Sequence, residues 1–185
     1  GAIRAIANIG SVELRSGERG WWETYNYAVG YKIEPGSTFK LASIMALLED
    51  EYTSLSDTVR LEYGKTQFYE EEMVDAATAS FELDSTTVHH AFEISSNVAI
   101  AKLINQNYGN RNRANQFIER LKQFHLDLPT GIEIQGEASP FIKDAYSDKQ
   151  GWSGTTLPWM AIGYELELTP LQLLSFYNAV ANDGM

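Results

Sequence analysis

Cysteine is absent from the 185 residues. Disulfides, thiolate metal ligands and a cysteine nucleophile are therefore excluded together, while oxidising and reducing compartments both stay compatible. Basic residues are scarce: 14 Lys and Arg stand against 25 Asp and Glu, for a formal charge of −11. Such a surface repels a polyanion, so nucleic acid is not an expected partner. Histidine occurs three times. His89 and His90 are neighbours that a helix turns about 100° apart, with His125 as their only company, so no metal site is expected. No apolar run reaches the roughly 18 residues a membrane-spanning helix needs; the longest, 41–48, is interrupted by Ser43. A basic and then apolar leader is missing at Gly1 as well, and there is no internal repeat or low-complexity segment.

What is present suffices for one core: 44% of the residues are hydrophobic and 12% aromatic, and the length suits a single domain. Ala/Ile-rich residues 2–9 predict a strand, 11–20 a turn, and 24–29 a further extended piece. Pro35-Gly36 breaks that pattern, and apolar residues at 41, 44, 45 and 48 then predict a buried helix over 37–49. The acidic stretches 49–58 and 70–72 read as solvated loops around a short strand at 59–61. From Ser85 onward the texture is helical, with helices expected over 86–93, 97–107, 111–125, 155–162 and 169–181. The loop-rich interval 126–141 leaves room for a short strand at 132–134. Both ends look cut from a longer protein: the chain opens on Gly1-Ala2-Ile3-Arg4-Ala5-Ile6-Ala7 already in a strand-like pattern and stops at Asn182-Asp183-Gly184-Met185 just after a helix-like one.

The chemistry concentrates in two short runs. In Glu34-Pro35-Gly36-Ser37-Thr38-Phe39-Lys40, Ser37 and Lys40 stand three apart, the spacing that puts two side chains on one helix face about 5 to 6 Å apart. A serine hydroxyl needs such a neighbouring base to become a nucleophile. Lys40 can be that base only when neutral, and burial together with the positive end of a helix dipole lowers an ammonium pKa. The backbone N–H of Ser37 is a natural half of an oxyanion hole. In the second run, Ile94-Ser95-Ser96-Asn97-Val98, Ser95 can relay a proton and Asn97 can bind a substrate amide. Taken singly, each run is more economically read as a helix N-cap, with Lys40 a surface residue.

Together, EPGSTFK, SSN and LTPLQLLSFYNAVANDG over residues 168–184 resemble the transpeptidase domain of class B penicillin-binding proteins. The resemblance extends from the GAIRAIANIG opening through TYNYAVGYKIEPGSTFK and SSNVAIAKL to the last helix, and GTTLPWMAIGYELELTPLQLL brings it nearest the septal, division-type branch. Paired S-x-x-K and Ser/Asn elements with a K-T-G strand mark such acyl-serine enzymes. The resemblance implies an α+β, penicillin-binding, β-lactamase-like fold, seen here as a fragment of one domain. Residues 1–34 would be first sheet strands and the approach to the active-site helix, and 35–185 a mainly helical subdomain with a partial antiparallel sheet. It implies Ser37 as the acylated serine, Lys40 as its base, Ser95 as the relay and Asn97 as a substrate contact, with no metal or organic cofactor. It further implies peptidoglycan stem peptides and β-lactams as ligands, division or cell-wall synthesis proteins as partners, and an extracytoplasmic site in a parent anchored by an N-terminal segment outside this chain. K-T-G itself is missing: Lys65-Thr66-Gln67 lacks the glycine and precedes the second motif. Truncation at Met185 is the expected cause, and slow acylation of the isolated fragment the expected effect.

Weaker signals add little. Gly64-Lys65-Thr66 lacks the glycine that a phosphate-binding loop needs at position 59, where Val59 stands. Trp21-Trp22 and the pair Trp152 and Trp159 read as packing aromatics. Tyr108-Gly109-Asn110 resembles a class D β-lactamase motif but follows Ser95 too closely, and Gly109 reads as a helix C-cap. Two other functions stay open on the sequence: a penicilloyl-hydrolysing or β-lactam-sensing acyl-serine protein, and a non-catalytic interaction module whose partial sheet pairs with another chain.

Overall fold

Val98, Ala99, Ile100, Ala101, Leu103 and Ile104 follow one another closely, and a helix that is apolar nearly all round belongs inside a core. In the computed structural model, which describes residues 2–23, 25–146 and 151–184, all six are buried. The elements run β1 (Ile9–Glu13), β2 (Arg19–Glu23), α1 (Tyr27–Gly30), a 3₁₀ turn (Gly36–Phe39), α2 (Lys40–Glu49), β3 (Thr58–Arg60), β4 (Lys65–Phe68) and β5 (Glu71–Val74). They continue through β6 (Ser85–Thr87), α3 (Val88–Glu93), α4 (Asn97–Tyr108), α5 (Arg111–Gln123), β7 (Phe141–Ile142), α6 (Thr156–Met160), β8 (Leu166–Glu167) and α7 (Pro170–Ala181). Helix α4 is the hub, packing against α2, α3, α5 and α6. The strands form four two-stranded antiparallel ladders, β1 with β2, β3 with β6, β4 with β5 and β7 with β8. This is the expected α+β architecture, helices first and small antiparallel sheets around them. No helix among the described residues is long and apolar enough to cross a membrane.

Several expectations need correction. Pairing begins only at Ile9, where Ile9 faces Glu23, and the turn shrinks to residues 14–18, closed by Leu14 N–H to Glu18 O at 2.8 Å. The extended piece 24–29 is instead the short helix α1; Thr24, like Gly1 and Met185 at the ends of the expected domain, lies outside the described residues. The acidic run 70–72 is not all loop: Phe68 and Met73 are buried while the residues between and around them face water, so β4 and β5 make a hairpin with an acidic outer face. No strand forms at 132–134, because the N–H groups of Thr130 and Gly131 donate to the Glu137 carboxylate at 2.7 and 3.1 Å and fold that loop back on itself. The strand of this interval comes later, at β7.

Helix α2 starts at Lys40 rather than Ser37, and it is more enclosed than its 41, 44, 45, 48 stripe implies. Lys40, Ala42, Ser43, Ile44, Ala46 and Leu47 are buried, whereas Leu41, Met45 and Leu48 are only partly so. The small residues allow close neighbours, and the one hydroxyl this buries, Ser43 Oγ, donates to Ala161 O at 2.7 Å. Helix α7 is fixed at its start by a capping box, Thr169 with Gln172, and Pro170 at its first position.

Candidate active site

Ser37 is presented by a clamped turn. Gly36 has φ +56° and donates its N–H to Gly163 O at 3.1 Å; Gly163 itself sits at φ +90°, so close that a Cβ there would lie 2.1 Å from Gly36 O. On the same stretch Glu34 Oε1 accepts from Glu165 N–H at 3.0 Å, and Ile33 and Leu168 exchange two backbone bonds of 3.0 Å. From the far side Tyr177 Oη, on α7, donates to Thr38 O at 2.7 Å. Within the 3₁₀ turn Phe39 is fully buried and anchors the chain, leaving Ser37 exposed. Neither this turn nor α2 has a side-chain cap, so Ser37 is not the N-cap that the simpler interpretation required.

Lys40, unlike Ser37, is buried. It is 1% exposed, and its ammonium donates to Ser95 O at 2.6 Å, Ser95 Oγ at 3.1 Å and Asn97 Oδ1 at 2.6 Å, using all three protons it has. Burial pulls its pKa from 10.5 to about 8, against an opposing pull from the Asp75 carboxylate. At pH 7 roughly a tenth of such a lysine is neutral, where an unperturbed one has well under a thousandth. The side chains of Lys40, Ser95 and Asn97 thus converge. Ser37 Oγ is not hydrogen-bonded to Lys40; the two residues are one 3₁₀ turn apart, a spacing that puts i and i+3 on one side.

The Ser95 loop owes its shape to how α3 ends. Ser95 N–H donates to Phe92 O at 3.0 Å and Ser96 N–H to Ala91 O at 2.9 Å, with Ser95 at φ +55°. This is a Schellman closure with serine where glycine is usual. A non-glycine residue in that conformation costs about 1 to 2 kcal/mol. Ser96, not Ser95, caps α4, accepting from Ala99 N–H at 3.0 Å. The simple N-cap interpretation therefore applies to Ser96 and releases its two neighbours to face Lys40. Asn97 also donates from Nδ2 to Val74 O at 3.1 Å, so one of its two amide protons is left over among the described residues.

Asp75 is the site residue that sequence patterns did not mark. It is 3% exposed; Oδ2 accepts from Ser96 Oγ at 2.7 Å and Oδ1 from Val98 N–H at 2.8 Å. Strand alternation could have found it, since it stands two beyond buried Met73 and so points inward. Lys65 and Thr66 lie outside the cluster: Lys65 is exposed on β4 and Thr66 hydrogen-bonds Glu62. His89 and His90 both pair with Glu93, at 3.7 and 3.0 Å, and no group of three or more potential metal ligands occurs among the described residues.

Comparison with known proteins is consistent throughout the chain. Residues 1–185 match the family model described as penicillin binding protein transpeptidase domain. Penicillin-binding protein PbpB of Mycobacterium tuberculosis is 28% identical over the whole chain, which spans 26% of that relative; the chain covers about a quarter of the curated relatives it matches. The structure of penicillin binding protein 3 of the same organism complexed with ampicillin is similar at TM-score 0.70 and 29% identity, over 86% of this chain and 32% of that one. A peptidoglycan glycosyltransferase from Burkholderia ambifaria shares the fold at TM-score 0.74 and 21% identity, over 90% of this chain and 49% of that one.

Proposed function

Because the chain belongs to the transpeptidase domain family of class B penicillin-binding proteins, we propose that it carries the acyl-serine centre of a peptidoglycan D,D-transpeptidase, with residues 1–185 part of one such domain. The observation that carries this reading is the buried Lys40, held on Ser95 and Asn97 with its pKa drawn down to about 8. A lysine so placed is a base that ordinary exposure would not provide.

In this mechanism Ser37 Oγ turns about its side-chain bond toward Lys40, gives its proton to Nζ and bonds to the carbonyl carbon of the penultimate D-Ala of a stem peptide. The Ser37 N–H is one donor to the resulting oxyanion. Ser95 Oγ passes a proton from Lys40 to the nitrogen of the terminal D-Ala, the C–N bond breaks and acyl-Ser37 remains. The spare Asn97 amide proton holds a substrate carbonyl. An amine from a neighbouring stem then attacks the ester, its proton returns through the same groups, and Ser37 is regenerated. A β-lactam acylates Ser37 by the first half of this sequence, with its ring nitrogen as leaving group; the likeness to a structure holding ampicillin supports that ligand class. The likeness to penicillin-binding protein PbpB supports the same ligand class. Division is the process proposed, with division proteins as partners and an extracytoplasmic site where peptidoglycan is cross-linked.

The test is intact mass after incubating the protein, expressed from its complete reading frame, with a fluorescent penicillin. One adduct per molecule is expected, lost in Ser37→Ala. Undiminished labelling of that variant would sink Ser37 as nucleophile.

A further inference from the structure

The loop that brings Ser95 and Asn97 to Lys40 contains the strained Ser95 and is closed on one side by the two backbone bonds that end α3. The carboxylate of Asp75, just beyond β5, holds it from the other side. One oxygen takes the hydroxyl proton of Ser96 at 2.7 Å and the other the N–H of Val98 at 2.8 Å, so both ends of the Ser96-Asn97-Val98 step are tied to one rigid group. Ser96 Oγ in turn receives Ala99 N–H at 3.0 Å, and the Asp75 N–H donates to Gly64 O at 2.9 Å, which fixes the acid itself. Val74, next to it, gives its carbonyl to Asn97 Nδ2 at 3.1 Å. Asp75 is 3% exposed and has no basic ion-pair partner among the described residues. Both of its oxygens are hydrogen-bonded, as burial of a polar group requires.

We propose that Asp75 is a positioning residue of this site, fixing the Ser95-Ser96-Asn97 loop so that Ser95 and Asn97 converge on Lys40. The inference rests on the acyl-serine reading above. Among the described residues, the polar and charged groups that Lys40 meets are Ser95 and Asn97 from the α3 to α4 junction and the charge of Asp75 from just beyond β5. Burial lowers the lysine pKa and Asp75 raises it, leaving about 8. Neutralising Asp75 as asparagine removes that upward pull and, because one acceptor oxygen becomes an NH2 group, one of the two tethers with it. Since catalysis needs neutral Lys40, the acid limb of the rate must then move to lower pH.

The measurement is the second-order rate of acylation by a fluorescent penicillin from pH 6 to 10, on the protein from its complete reading frame, for wild type, Asp75→Asn and Ser96→Ala. Asp75→Asn retains the shape of the side chain without its charge; its acid limb should shift to lower pH, and its plateau fall by up to about a hundred-fold, the scale of a 1 Å misplacement. Ser96→Ala keeps the charge and cuts one tether, so its plateau should fall while its limb stays at the wild-type pH. A folded Asp75→Asn protein with the wild-type plateau and limb would overturn the inference. Should that variant not fold, a wild-type plateau in Ser96→Ala overturns it instead. If the wild type is not acylated at all, the acyl-serine reading falls and takes this inference with it, a result distinct from normal wild-type labelling with unaltered variants.

Discussion

Ser95 occupies a backbone conformation that only glycine adopts without strain, and it does so with its carbonyl and its hydroxyl both on Lys40. Strain of this kind persists where surrounding structure over-determines it, and functional sites are where it gathers. The hydroxyl is what the strain retains, since glycine would make the same closure of α3 and lack it. Ser95→Gly should therefore stabilise the protein by about 1 kcal/mol, a rise of roughly 2 to 4 °C in Tm for a chain of this size, while slowing acylation through loss of the relay that the proposed mechanism places there. Thermal unfolding and penicillin labelling on the same sample check both halves; a fall in Tm would mean that the hydroxyl's bond to Lys40 outweighs the strain.

At the scale of elements, the turn bearing Ser37 is held by segments far along the chain, and the Gly36 to Gly163 approach is the tightest of these contacts. A methyl group at position 163 would meet Gly36 O at 2.1 Å with φ at +90°, so neither backbone can accept it unmoved. Gly163→Ala should cost at least about 1 kcal/mol in unfolding free energy and reduce acylation beyond what lost folded protein explains; denaturant unfolding with active-site titration separates the two. Elements of this sort also mark how far the sequence could be read. The convergence of Lys40, Ser95 and Asn97 was legible only through the resemblance that joins the two runs, since each run alone suits an N-cap; α4, α5 and α7 were legible because long apolar periodicity and Ser, Asn or Thr caps coincide. Asp75 was hidden among Glu70, Glu71 and Glu72, whose charge suggested a solvated loop although Phe68 and Met73 turn that stretch into a two-faced hairpin. The 3₁₀ start of α2 and the helical α1 depend on tertiary clamps, and short segments carry too little periodicity to reveal such clamps in advance.

Over the whole molecule, the turn that bears Ser37 and helix α7 are joined although 139 positions separate Thr38 from Tyr177. Helix α7 is set by its capping box at one end and by Leu171 and Phe176 in the core along its length, so the Tyr177 hydroxyl is a fixed post beside the turn whose Ser37 the proposed mechanism acylates. Burial raises the pKa of this phenol above its usual 10. A shift of the turn alters the hydrogen bond and with it the phenol's absorption. An ultraviolet difference spectrum on penicillin acylation should therefore contain a tyrosine component that Tyr177→Phe abolishes; an unchanged component in that variant would place the signal elsewhere. Such a component would make the fold its own optical gauge: a chromophore bonded to the residue next to Ser37, reporting an unlabelled acyl group in real time.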